Sequence, residues 1–77
     1  MDGPEAAAKD KFTEWAVNIR VPYRNENFQT ISNDDALATV LVTVELKIKG
    51  EWKEKQTEIH CKKMDQEWQC DRSMQFR

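Results

Sequence analysis

The stretch Ala36–Cys61, "ALATVLVTVELKIKGEWKEKQTEIHC", decides the fold. Its first half alternates: Val40, Val42, Val44, Leu46 and Ile48 fall on one side, Thr39, Thr43, Glu45 and Lys47 on the other. That two-residue period, in a run rich in β-branched side chains, reads as a half-buried strand over residues 36–49. Gly50-Glu51 breaks the run, and the alternation resumes with Thr57, Ile59 and Cys61 against Glu54 and Glu58. A two-residue loop at Gly50-Glu51 sets Lys47 opposite Glu54, a favourable pair, and Leu41 opposite His60.

Outward from this hairpin the same logic adds a strand on each side. Downstream, residues 51–64 lead into a second turn at Asp65-Gln66 and a last strand over 67–76. The apolar face then collects Trp68, Cys70, Met74 and Phe76, with Lys53, Lys55 and Arg72 as charged intruders, the lysines placed to snorkel from the hairpin tip. Upstream, residues 28–32 form a short strand closed by "NDD", and Ile31 joins the apolar face. "VPYRNEN" before it reads as an extended linker. The opposite face carries Thr39, Thr43, Glu45, Lys47, Glu54, Glu58, Lys62 and Gln69.

The N-terminal segment changes period. Pro4 suits the first helical position, Glu5 complements the helix dipole, and Ala8, Phe12, Trp15, Ala16 and Ile19 recur at three and four residues, so a helix is expected over about residues 4–20. Pro22 ends it. Trp15, Val17, Ile19 and Val21 also alternate, which keeps a strand open for that half. Phe12 and Trp15 are the expected anchors on the apolar face of the sheet. The fold class is therefore α+β, one domain over residues 1–77, a helix on a four-stranded antiparallel meander. "MDG" reads as a start set ahead of "PEAAAKDKF", so a longer parent chain is expected.

Composition narrows the function. A net charge of -2 with 34% charged residues lacks the basic excess that phosphate backbones demand, so nucleic acid is not an expected partner. The longest uncharged apolar run, Ala36–Val44, is far short of the roughly 20 residues that cross a bilayer. At 77 residues, a domain of this size buries only about 60% of its unfolded surface, so a covalent staple matters.

Cys61 and Cys70 provide a candidate. With the turn at Asp65-Gln66 they stand directly opposite in a non-hydrogen-bonded pair, where α-carbons lie about 4.5 Å apart. A bond there closes a short loop worth about 2–3 kcal/mol and implies an extracytoplasmic setting, periplasmic, cell-envelope or secreted. Two reduced, buried thiols in the cytoplasm are the alternative. Adjacent His60 and Cys61 point to opposite faces, so no metal site is expected, and no Cys-x-x-Cys suggests redox catalysis. His60 has no serine or cysteine nucleophile beside it in the expected register and no Gly-rich loop, so no catalytic residue and no cofactor are assigned.

One group does not fit a solvated face. Phe28, Leu37, Leu41 and Met64 fall on the polar side beside His60, an apolar island of the kind that marks contact with another surface. These five are the candidate partner-binding residues.

The order helix, extended linker and meander, with "ISNDDALATVLVTVELKIKG" and "TEIHCKKMDQEWQC" as central hairpins, resembles the cystatin-like and nuclear-transport-factor-2-like superfamilies over about residues 28–77. Similar sheets occur in bacterial envelope lipoproteins and periplasmic secretion-assembly domains. The inhibitory Gln-x-Val-x-Gly loop of cystatins is replaced by "FQTIS", which argues against protease inhibition, and a single helix offers little roof for a cone-type pocket. Two functions stay open. One is a non-catalytic protein-binding or assembly module whose partner is another protein, a further domain of the parent or a second copy. The other is a small-ligand or catalytic cone with a pocket lined by Trp15, Trp68, Met74 and Phe76.

Overall fold

The computed structural model describes residues 3–71 and 74–76. One helix, α1 (Pro4–Ile19), precedes four strands, β1 (Tyr23–Asn33), β2 (Leu37–Ile48), β3 (Glu51–Met64) and β4 (Glu67–Cys70), arranged in one antiparallel sheet in chain order. The helix lies across one face.

Pro4 opens α1 and Arg20 closes it in the left-handed conformation (φ 58°), with the Val21 N–H turned back to the Ala16 carbonyl at 3.3 Å. Trp15–Ile19 is thus helical, not a strand. Ala8, Phe12 and Ala16 are its buried side chains, and Trp15 is half-buried against them. Ile19, expected on the apolar face, is 47% exposed.

Strand β2 is the spine. Ala38, Val40, Val42, Val44 and Leu46 are all buried, and Thr57, Ile59, Cys61 and Cys70 continue the same inner face across β3 and β4. The first hairpin loop differs from expectation. Ile48 pairs with Glu51, so Lys49 (φ 52°) and Gly50 (φ 80°) are the turn residues. A type I′ turn needs positive φ at both central positions, and Gly at the second meets that need more cheaply than Glu51 can. The register therefore moves by two residues: Lys47 opposes Trp52, Glu54 opposes Glu45, and His60 opposes Thr39, not Leu41. A two-residue move keeps every side chain on its face, so the predicted inner set survives. Asp65 and Gln66 form the second turn as expected, with φ of 52° and 67°.

Strand β1 is longer than expected and carries two bulges, between Arg24 and Asn27 and between Thr30 and Ser32. Each adds one residue to one strand and reverses the alternation beyond it. Phe28 consequently pairs with Val42 on the inner face and meets Phe12 with ring centroids 5.7 Å apart, which corrects its expected place in the outer island. Ile31 sits at the second bulge and is 49% exposed, so it does not join the core. Thr30 turns inward instead, and both its N–H and its hydroxyl donate to the Glu5 carboxylate at 2.9 Å, tying the first helical turn to the sheet edge.

The last strand is shorter than expected and stops at Cys70. Met74 and Phe76 still pack on the core without strand pairing, Phe76 lying 4.8 Å from Trp15 between ring centroids. Arg72, expected on the inner face, lies outside the described residues.

Candidate functional site

The helix covers the inner face, which leaves the outer one as the candidate surface. Four of the five expected contact residues come to it. Leu37, Thr39 and Leu41 are successive outer-face positions of β2, opposite Lys62, His60 and Glu58 of β3. Met64 follows Lys62 at the end of β3. Leu37 is 58% exposed and Met64 45%, while Leu41 is half-buried between its strand neighbours. Phe28 is absent from this group for the reason given above.

His60 is exposed, and its Nδ1 lies 3.3 Å from the Thr39 hydroxyl. Ser32 pairs with Thr39, so a row Ser32, Thr39, His60 crosses three strands, with the threonine rather than a serine or cysteine next to the imidazole. The row sits on a sheet whose interior backbone N–H groups are engaged in the ladder. A shallow depression of about 300 Å3 lies at this end of the sheet, bordered by Ser32, Leu37, Thr39 and His60. Asp71 reaches His60 through the backbone, its N–H donating to the His60 carbonyl at 2.9 Å.

The other end of the outer face is polar and internally satisfied. The Arg24 guanidinium lies 4.2 Å from the centroid of the Trp52 ring and donates from Nε to Glu45 Oε1 at 3.2 Å. Lys47 approaches the same ring at 5.9 Å. Hydrogen bonds from Asn25, then Arg24, hold the Glu45 carboxyl below its ordinary range. Asn25 can do this because it occupies the first bulge at φ 54°, a conformation asparagine tolerates better than most residues. Sequence reading missed this cluster: nothing in "VPYRNEN" says that Arg24 belongs to a strand beside Trp52. Arg24, Asn25, Glu45, Lys47 and Trp52 thus form one group of contacts beside the hairpin tip.

Beneath the sheet, Cys61 and Cys70 face each other with sulfurs at the bonding distance of 2.00 Å and α-carbons 3.9 Å apart. Both are buried. The four residues named for a cone-type pocket divide between the core and the surface. Trp15 and Phe76 pack on each other and on Phe12, and Met74 joins the core. Of the four expected lining residues, Trp68 borders a groove of about 900 Å3 between the start of α1 (Ala6, Ala7, Asp10) and the β3–β4 turn (Lys63, Glu67), and Trp15 borders a smaller one of about 170 Å3 with Lys11, Glu14 and Asn18. Among the described residues no three His, Cys, Asp or Glu side chains gather to hold a metal, and no helix is long and apolar enough to cross a membrane. Comparison with protein-family models, curated proteins and solved structures finds no match to this chain.

Proposed function

We propose that this chain is a non-catalytic protein-binding or assembly module that works through the outer face of its sheet, in an oxidising compartment outside the cytoplasm. The observation that carries this reading is the exposure of Leu37 and Met64, with Leu41 between Gln29 and Glu58, on the face the helix leaves uncovered. Large apolar side chains grouped at one end of an otherwise polar sheet face are the usual mark of a contact surface. The aromatic packing of Phe12, Trp15 and Phe76 supports the same choice from the other side, since it fills part of the space between helix and sheet. The cysteine pair supports the compartment, since Cys61 and Cys70 stand directly opposite each other and disulfides persist in oxidising surroundings. The resemblance to cystatin-like and cone-like sheets agrees with the helix-on-meander architecture and adds no residue of its own.

Leu37→Asp tests the reading. Partner capture from the native source should be lost while the melting temperature holds, because Leu37 buries little in the folded chain. Capture that survives Leu37→Asp, with the fold intact, removes the outer face as the site.

A further inference from the structure

The apolar end of the outer face is complementary to itself. On β2 it reads Leu37, Thr39, Leu41; opposite on β3 it reads Lys62, His60, Glu58. Leu37 and Leu41 stand one step to either side of the Thr39–His60 pair, and so do Lys62 and Glu58. Two sheets pressed face to face as identical partners are related by a two-fold axis lying in the plane between them. An axis along the Thr39–His60 row, running across the strands, carries each residue above the row onto its counterpart below the row on the same strand of the second copy. Leu37 then meets Leu41 of the second copy, and Lys62 meets Glu58 of the second copy. Each contact occurs twice. Facing strands remain aligned, the arrangement in which sheets pack with their mean directions within about 30° of each other.

From this symmetry we infer that the partner of the outer face is a second copy of this chain, docked sheet to sheet about the Thr39–His60 row. The inference rests on the reading of this face as a contact surface and narrows it to one occupant. Charge complementarity selects that occupant: Glu58 and Lys62 are both exposed and placed symmetrically about the row, so an inverted copy pairs both at once and brings leucine onto leucine. The helix lies on the opposite face and leaves the approach open.

Sedimentation of the 77-residue chain over a dilution series reads this directly. A reversible dimer is expected. Glu58→Lys alone places lysine against lysine at both symmetry-related contacts and weakens association by about tenfold or more, and Lys62→Glu alone does the same with carboxylates. Mixing the two variants, or joining both changes in one chain, restores opposite charges at every contact and recovers the dimer. Both positions are exposed, so melting should not move; if a reversal does disturb folding, Glu58→Gln and Lys62→Gln replace it and should each weaken the dimer less. A wild-type chain that stays monomeric, or single reversals without effect, or a double reversal that fails to rescue, overturns the inference. A monomeric chain whose capture of another protein is nevertheless abolished by Leu37→Asp sinks the second copy and leaves the contact surface standing. Loss of neither sinks both.

Discussion

Phe12 reaches Trp15, Tyr23, Phe28 and Phe76 with ring centroids 5.8, 4.9, 5.7 and 6.3 Å away, and it is 1% exposed. It joins the helix, the edge strand and the C-terminal segment in one contact group. Phe12→Ala should cost about 3–5 kcal/mol, measured by denaturant unfolding, as for a large aromatic taken from a core whose neighbours cannot close the gap. Trp15→Ala should cost less, about 1–3 kcal/mol, because its ring is only half-buried. Both residues are legible in the sequence from their helical spacing; their unequal weight is not, since it depends on where the helix crosses the sheet. Glu45 gives a residue-level prediction of another kind. Its carboxyl is held below its ordinary range by Asn25 and Arg24, so the folded state favours the charged form. The stability this contributes is present above the unfolded carboxylate's value, about 4.3, and is lost as pH falls through the lower folded value. Glu45→Gln should therefore flatten the acid limb of a plot of stability against pH, and an unchanged slope there would mean the two hydrogen bonds do not persist in solution.

Among the elements, the sheet divides into parts that alternation announces and parts it conceals. Strand β2 and the β3–β4 hairpin follow their sequence because the inner face is buried along β2 and at Ile59, Cys61 and Cys70, which fixes the side chains even when a turn is misplaced by a step. Strand β1 does not, because two bulges each shift its parity, and no local pattern in "YRNENFQTISN" marks where the extra residues fall. Phe28 was misread for that reason alone. The left-handed Asn25 offers a check: Asn25→Val should destabilise the chain by about 1–2 kcal/mol, while Asn25→Gly should leave backbone strain unchanged and lose only the bond to Glu45. The short strand β4 depends on its staple. With four paired residues and one neighbour, its end is held by Cys61–Cys70. Protein isolated without reductant should have a mass lower by the two thiol hydrogens and resist alkylation, and reduction should lower stability by about 2–3 kcal/mol. Free labelling of both thiols in native protein would remove the support for an oxidising compartment.

In the molecule as a whole, the two faces of the sheet differ. The inner face, covered by α1, holds the core; the outer face, with Leu37, Leu41 and Met64 at one end, is uncovered and is the proposed contact surface. The island was visible in the sequence as apolar residues at outer positions, and three of its four members hold that place. What the sequence withheld is the row through Thr39 and His60, which appears only once Gly50 sets the hairpin register. The most direct test uses neighbours on opposite faces. Leu41→Asp and Val42→Asp, compared by thermal unfolding and sedimentation in the same samples, should part company: Leu41→Asp loses association and keeps its melting transition, while Val42→Asp, buried at 0% exposure, loses the fold itself. A Leu41→Asp chain that unfolds, or one that folds and associates like the wild type, would contradict the account.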